Sequence, residues 1–231
     1  RLAELLDKLC KIDGFKWIRF LYAYPESITD ELIDVVKRND KICKYFDIPL
    51  QHFADKVLKR MNRKSDSASI RKTINKIREE IPGVILRTTL ILGFPGETEE
   101  DFFELYEFVN EAKFEKLGAF KYSKEEGTPA AKFTDQLDKK TKNKRQSKIM
   151  FIQQGVSKEL MKSRIGNEYT CLIENMTEDG EYYVTPFCFE VRDHLEELGY
   201  KEWSNGKLSQ MDEEQFRRKV TKEFIDNNKA I

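Results

Sequence analysis

Apolar residues along the chain form short continuous runs that alternate with longer amphipathic segments. Continuous apolar runs are typical of strands in a parallel sheet, because helices cover both faces of such a strand and neither face meets water. The pattern predicts four strands: WIRFLYAYP (17–25), CKYFDIPLQ (43–51), VILRTTLILG (84–93) and KLGAFKYS (116–123).

The amphipathic segments between these runs have the period of α-helices. Strands that alternate with helices across short connections are typical of a parallel α/β sheet, and right-handed crossovers curl such a sheet into an open or partial barrel. We therefore expect an α/β fold, a partial parallel (βα) barrel of about four βα units. The predicted helices cover residues 1–12, a segment capped by Ser27 or Thr29 that runs to Arg38, a segment from about Asp55, and residues 66–81 and 99–112.

The third predicted strand runs directly into the sequence GFPGETEEDF at residues 93–102. Gly93 and Gly96 permit backbone angles or close contacts that a Cβ atom would forbid, and Pro95 ends the strand ladder. Thr98 is the predicted N-cap of the next helix, and Asp101 three residues later completes a pattern like a capping box. The segment therefore predicts a strand, a tight turn and a helix, with acidic residues at the helix N-terminus where the dipole favours them.

The composition changes after the fourth predicted strand. Residues 136–164 predict a long, very basic helix, whose charges we interpret as a solvated face, with a polyanion contact as the alternative. The sequence NEYTCLIENMTEDGEYYV alternates like a β-hairpin around Glu178, Asp179 and Gly180. The remaining residues are expected to be helical.

Overall composition narrows the class of protein. The 231 residues are 39% hydrophobic and 35% charged, and the 41 basic and 41 acidic side chains cancel, so no global field indicates nucleic acid or membrane. No apolar stretch is long enough to span a bilayer. The four cysteines, at 10, 43, 171 and 188, lack the spacing of a metal site and suit buried thiols in a reducing cytoplasm. The chain begins at Arg1 in a helical pattern, so we expect a piece of a longer protein.

Polar residues follow or interrupt the predicted strands near their carboxyl ends, where parallel α/β sheets bind ligands. Gln51 and His52 follow the second strand, and Arg87 and Thr89 interrupt the third. A buried polar side chain without a partner costs about 1–3 kcal/mol, so these groups need partners or a wet cavity. Structural alternatives remain open for each: His52 as a core residue, Arg87 as the partner of an acid beneath the sheet, and Glu125 with Glu126 as a solvated turn.

Five segments in order carry a resemblance to a known family: KYFDIPLQH, LKRMNR, RTTLILGFPGETEEDF, LGAFKYSKEEGTPA and RQSKIMFIQQGVSKE. Together they resemble the radical-SAM methylthiotransferases, and DIPLQH resembles the branch that methylthiolates an aspartate of a small-subunit ribosomal protein. The resemblance covers roughly residues 1–184 without large gaps.

The resemblance implies the C-terminal half of a radical-SAM partial barrel over residues 1–135 and a basic connecting helix over 136–165. It further implies the start of a TRAM-like β domain over 166–189, and residues 190–231 form a divergent tail that we expect to be helical. S-adenosylmethionine is expected across the strand ends, with Glu97 bracing the turn and the turn glycines letting the backbone approach the nucleoside. No catalytic residue and no metal ligand is assigned. The implied cofactor-binding residues are Gln51, Arg87, Thr89, Gly93, Phe94, Glu97 and Phe120.

The sequence also departs from the family pattern. Members carry a Cys-x-x-x-Cys-x-x-Cys motif for a 4Fe-4S cluster and an N-terminal domain with a second such cluster, and neither is found in this chain. After about Thr185 the expected TRAM sequence is replaced by TPFCFEVRDHLEEL. We therefore expect the complete enzyme to use S-adenosylmethionine and two 4Fe-4S clusters, and this chain alone to bind no cluster and to be inactive.

The resulting functional prediction is a fragment of a cytoplasmic enzyme that adds a methylthio group to an aspartate of a small-subunit ribosomal protein, without membrane contact. Two alternatives are a tRNA-modifying sibling and a non-catalytic module that docks on the ribosome or RNA through the basic residues 136–148. A third is an aldolase-like half barrel that uses His52 and Glu126, for which no Schiff-base lysine is assigned.

Overall fold

The computed structural model describes residues 1–165, 167, 171–176 and 182–186. Six α-helices and five strands lie in these residues, and two short 3₁₀ helices cover Pro25–Ser27 and Pro129–Lys132. The helices are α1 (Leu2–Cys10), α2 (Asp30–Arg38), α3 (Asp55–Arg60), α4 (Ser67–Glu80), α5 (Glu99–Ala112) and α6 (Lys139–Arg164). The strands are β1 (Tyr45–Gln51), β2 (Ile85–Leu92), β3 (Lys116–Lys121), β4 (Cys171–Met176) and β5 (Tyr182–Pro186).

Strands β1, β2 and β3 form a parallel sheet in that order, and helices connect them. Alternate residues of β2, from Leu86 to Leu92, are fully buried, and they form one face of the sheet with Phe46 and Ile48 of β1. The apolar faces of the connecting helices, such as Ile77 of α4 and Leu105 of α5, are equally buried. The predicted fold class, an α/β partial barrel with parallel strands followed by a long helix and a small β segment, is confirmed.

The first predicted strand, residues 17–25, is wrong. The segment runs beside β1 but forms only an isolated parallel bridge between Ile18 and Ile42 and a hydrogen bond from Ala23 N to Asp47 O of 2.9 Å. Tyr22 has φ of 58°, in the left-handed region, which interrupts an extended ladder. The aromatic and β-branched composition indicated a strand, but the backbone at Tyr22 prevents one.

Helix starts agree closely with the sequence. The Thr29 hydroxyl accepts a hydrogen bond from Leu32 N, which identifies Thr29 as the cap of α2. Thr98 and Asp101 form the predicted capping box at α5, because each side chain accepts from the other residue's backbone N–H. Such caps satisfy amide donors that the first helical turn cannot pair internally.

Helix α6 lies along β3, the edge strand of the parallel sheet, and runs opposite to it. Side chains of α6 donate to backbone carbonyls in reverse order: Lys142 to Tyr122 O at 3.0 Å, Gln146 to Ala119 O at 2.7 Å and Gln153 to Phe114 O at 3.0 Å. An edge strand otherwise exposes unpaired backbone groups that can pair with another chain. The first half of α6 therefore takes the place that another strand would occupy.

The chain divides into two compact units, Arg1–Gln153 and Gln154–Ile231. In the second unit β4 and β5 pair antiparallel, which confirms the predicted hairpin, although its turn at 178–180 lies outside the described residues. The expected helical tail, 190–231, also lies outside them, and the bounds of the four predicted segments and the TRAM assignment stay predictions. Among the described residues, none of the helices is both long and apolar enough to cross a membrane.

The capping box of α5 gives a testable dependence of stability on pH. Burial alone would raise the pKa of Asp101, but hydrogen bonds from the Thr98 backbone and hydroxyl outweigh it and hold this pKa below its ordinary value. A carboxyl whose pKa is lower in the folded state stabilises the fold above its unfolded pKa, and this stability is lost as pH falls through the folded pKa. We expect Asp101→Asn to lower the free energy of unfolding by roughly 1 kcal/mol at neutral pH.

The loss caused by Asp101→Asn should shrink as the pH falls below about 4, the ordinary pKa of a carboxyl group, because the wild-type group then protonates as well. Urea unfolding at pH 7 and at about pH 3 measures the difference. Glu107→Gln is the control, because Glu107 lies exposed on the same helix beyond the first turn. An equal loss for Asp101→Asn at both pH values would contradict the expected proton linkage.

Candidate functional site

The second face of the parallel sheet is only partly covered. Along β2 the fully buried residues alternate with half-buried ones, which include Arg87, Thr89 and Ile91. Thr88 lies on the opposite, buried face, where its hydroxyl donates to Ile48 O at 2.9 Å. We call the half-buried side, with Arg87, Thr89, Ile91 and the residues in register with them, the inner face. On this face the polar side chains of Arg87 and Thr89 are only half-buried, so they are accessible to a ligand.

Arg87 lies deep on the inner face. Its Nη1 donates to both carboxylate oxygens of Asp47 at 3.0 Å, and the Asp47 side chain is only 1% exposed. Burial alone would lower the pKa of Arg87, but the Asp47 carboxylate and nearby Tyr45 outweigh it and raise this pKa. The structural alternative for Arg87, pairing with an acid, is thus confirmed.

Arg87 does not lie at the carboxyl end of its strand. It precedes Leu92, the last residue of β2, by five residues, which places it about 16 Å below the end of the strand. The remaining guanidinium nitrogens have no hydrogen-bond partner among the described residues. Contact between Arg87 and a cofactor stays a prediction.

Gln51 ends β1 in an unusual backbone conformation. Its φ is 70°, and the register between β1 and β2 shifts between Ile48 and Gln51. A non-glycine residue in the left-handed region costs of order 1–3 kcal/mol and is often found at functional sites. The side chain is half-buried, and within the described chain it makes no hydrogen bond. Gln51 therefore presents a free amide at the end of the strand.

Three residues at or near the carboxyl ends of the parallel strands, Gln51 of β1, Thr89 of β2 and Phe120 of β3, are together called the shelf. Thr89 is in register with Gly118, and Ile91 is in register with Phe120, whose residue is 58% exposed. A Cβ atom at Gly118 would lie 3.4 Å from the Phe120 ring, which is an ordinary van der Waals contact. An amide, a hydroxyl and an exposed aromatic ring suit a ligand that has both hydroxyl groups and a flat base. Binding of the nucleoside half of S-adenosylmethionine by these residues stays a prediction.

Glu97 braces the GFPG turn, as the sequence predicted. Its side chain is completely buried, and Oε2 accepts hydrogen bonds from Gly93 N at 2.7 Å and Phe94 N at 3.2 Å. Oε1 accepts from Arg145 Nη1 at 2.5 Å, so the charge of Glu97 is paired. The turn is held from inside by a carboxylate, without any ligand.

The two glycines of this turn leave room for side chains from other parts of the chain. Both have positive φ, 70° at Gly93 and 81° at Gly96. A Cβ atom at Gly93 would collide with Lys142, and one at Gly96 with Asp135 and Arg60. The structure thus explains both glycines by contacts within the chain, and the approach of a nucleoside to this backbone stays a prediction. Contact of Phe94 with a cofactor also stays a prediction, since its side chain packs inward.

His52 is a core residue, which confirms its structural reading. It is fully buried; its Nδ1 accepts from Ala54 N at 3.1 Å, and its Nε2 lies 3.5 Å from Glu97 Oε2. Glu126, by contrast, is exposed. Because buried His52 cannot reach a substrate, the aldolase-like arrangement of these two residues is wrong.

Sequence reasoning missed Asp47 and Arg145, which hold the predicted residues Arg87 and Glu97 in place. Arg145 belongs to the basic helix and is 4% exposed, so its charge does not contribute to a solvated face. Lys142 of that helix is half-buried with its Nζ over the Tyr122 ring, whereas Lys148 is exposed with its Nζ 5.6 Å from the centre of the Phe102 ring. A helical pattern places Arg145 on the same face as the apolar Ile149, which is the one signal that pointed to burial.

The iron–sulfur clusters implied by the resemblance cannot be placed on the described residues. Within them, no three His, Cys, Asp or Glu side chains are grouped to hold a metal ion. Cys10 lies in α1 and Cys43 is buried before β1. No chemical step is therefore derived through a cluster.

Comparison with known proteins agrees with this fold. The radical SAM superfamily model matches residues 1–109. The ribosomal protein uS12 methylthiotransferase RimO of Alkaliphilus oremlandii is 62% identical over 193 residues, covering 84% of this chain and 44% of the relative. The protein of the same name from Clostridioides difficile is 55% identical over 182 residues, covering 79% and 41%.

Solved structures are more distant. Coproporphyrinogen III oxidase from Escherichia coli, a radical SAM enzyme, superposes with a TM-score of 0.49 at 23% identity over 72% of this chain and 38% of that one.

The chain spans less than half the length of the curated relatives named above, 44% and 41%. The sequence matches confirm the resemblance, and the chain belongs to the radical-SAM methylthiotransferase family.

Proposed function

We propose that this chain is part of an enzyme that transfers a methylthio group to an aspartate of a small-subunit ribosomal protein. The observation that carries the proposal is the 62% identity to a ribosomal protein uS12 methylthiotransferase, across most of the chain. The tRNA-modifying sibling remains the alternative substrate class. An assay of the complete enzyme with the ribosomal protein and with tRNA as separate acceptors distinguishes them.

The inner face would hold the nucleoside of S-adenosylmethionine. The free amide of Gln51 and the hydroxyl of Thr89 offer hydrogen bonds to the ribose, and Phe120 offers an apolar surface for the base. Support comes from the half-buried position of both polar groups and the exposure of the ring. When bound, S-adenosylmethionine supplies the radical chemistry, while the protein binds it, orients it and excludes water.

Two adjacent threonines on opposite faces of β2 test this assignment. Thr89→Val should weaken S-adenosylmethionine binding about tenfold, equivalent to about 1.4 kcal/mol, with little change in melting temperature. Thr88→Val is the matched control: it leaves the buried Ile48 carbonyl without its hydroxyl donor, so it should lower the melting temperature and leave affinity unchanged. Titration of the full chain beside thermal melting measures both. Equal effects of the two changes on affinity would contradict the proposed site.

Gln51 and Arg87 give a second comparison, because Arg87 pairs with buried Asp47, whereas the Gln51 side chain makes no hydrogen bond within the described residues. Gln51→Gly relieves the left-handed strain, so we expect equal or greater stability by about 1 kcal/mol together with weaker S-adenosylmethionine binding. Arg87→Met leaves Asp47 buried and unpaired, so it should cost about 3–5 kcal/mol of stability. Urea unfolding and titration measure both variants. A destabilised Gln51→Gly, or an Arg87→Met variant that is stable but fails to bind, would contradict these roles.

The chain by itself should hold no iron–sulfur cluster. Known clusters use closely spaced cysteine runs, and the cysteines here are at 10, 43, 171 and 188. Anaerobic reconstitution with iron and sulfide should therefore leave iron below stoichiometric amounts and produce no 5′-deoxyadenosine. Stoichiometric iron with turnover would contradict the prediction. A complete relative treated in the same way serves as the positive control.

A contact with the ribosome or RNA through residues 136–148 is the weaker part of the proposal. Its support is that Lys139, Lys140 and Lys144 are exposed. The other three basic residues of this stretch, Lys142, Arg145 and Lys148, contact the chain itself. RNA affinity that falls steeply as salt rises would favour it.

A further inference from the structure

Glu97 and Arg145 form a buried ion pair between the GFPG turn and α6. The side chains are 0% and 5% exposed. Arg145 Nη1 donates to Glu97 Oε1 at 2.5 Å and to the Glu97 backbone carbonyl at 3.1 Å. Its Nη2 donates to Glu99 Oε2 at 3.1 Å, and the guanidinium carbon lies 5.3 Å from the centre of the Phe102 ring.

The two carboxylate oxygens of Glu97 accept hydrogen bonds from different donors. Oε1 accepts from Arg145, whereas Oε2 accepts from the N–H groups of Gly93 and Phe94. Buried His52 approaches Oε2 at 3.5 Å from the end of β1. The guanidinium therefore sets the orientation of the carboxylate, and the carboxylate sets the positions of the two backbone N–H groups.

We propose that Arg145 is a positioning residue: through Glu97 it fixes the Gly93–Phe94 backbone at the end of β2 and thereby the shelf that binds the nucleoside. The second half of this inference rests on the proposed function, whereas the first half concerns the chain alone. Arg145 reaches the turn from α6, where Lys142 and Gln146 bind carbonyls of Tyr122 and Ala119. The geometry of the strand ends therefore depends on a helix that follows the whole parallel sheet in sequence.

The opposite end of β2 supplies a matched control. There Glu115 Oε2 accepts from Leu86 N at 2.7 Å, and Arg78 holds Glu115 through Nη1 at 2.8 Å. At each end of β2, therefore, an arginine contacts a buried carboxylate, and that carboxylate accepts from backbone N–H groups of β2 or of the turn after it. Removing Arg78 also deprives a buried carboxylate of its arginine, but at the far end of the strand and at a more exposed side chain, 32% against 5%.

The experiment compares Arg145→Met, Arg145→Lys and Arg78→Met in the full chain. Site-resolved hydrogen exchange should show the Gly93 and Phe94 amides exchanging about tenfold faster or more in Arg145→Met. Lysine should restore protection only in part, because it cannot reproduce the guanidinium's several fixed donors. Arg78→Met should accelerate exchange at Leu86 and leave Gly93 and Phe94 unchanged.

Binding of S-adenosylmethionine is the second readout. Affinity should fall about tenfold in Arg145→Met and stay within about twofold in Arg78→Met. If Arg145→Met does not fold, the double variant Glu97→Gln with Arg145→Met removes both buried charges, and fast exchange at Gly93 and Phe94 is still expected.

Wild-type exchange at Gly93 and Phe94 in a folded variant that lacks Arg145 would overturn the positioning role. Equal loss of affinity in Arg145→Met and Arg78→Met would overturn the link to the shelf. If the wild-type chain bound no S-adenosylmethionine, the proposed function of the shelf would fail, while the exchange comparison would still decide whether Arg145 positions the turn.

Discussion

A buried carboxylate organises the end of the parallel sheet. The side chain of Glu97 is completely removed from water, which is costly unless its oxygens find hydrogen-bond donors. Two backbone N–H groups of the turn and the guanidinium of Arg145 supply these donors, and His52 lies beside them. The end of β1, the GFPG turn and helix α6 must therefore meet at one point.

The two faces of the parallel sheet differ in their role. One face is packed against helices, and Thr88 satisfies its hydroxyl on a strand carbonyl there. The inner face keeps half-buried polar groups, and Arg87 is the deepest of them because Asp47 neutralises it. Gln51 and Thr89 have no such partner in the described structure, which leaves them available for a ligand. Their availability is what supports a nucleoside site.

Much of the fold could be predicted because its signals are local. Apolar runs identified β1, β2 and β3, and Thr98 with Asp101 identified the start of α5 to the residue. The same runs misled at residues 17–25, because composition carries no information about the left-handed backbone of Tyr22. The identity of Asp47 as the acid that pairs with Arg87 was missed for a related reason: a strand pattern gives the face of a residue but not its partner.

The sequence by itself determined the fold class, the helix caps, the family and the identity of the polar residues on β2. These depend on the period of apolar residues and on contacts within a few positions of the chain. Only the tertiary structure decided that Arg145 is buried against Glu97, and that the turn glycines make room for Lys142, Asp135 and Arg60. These contacts join residues that are distant in sequence, and their partners are set by how α6 packs along β3.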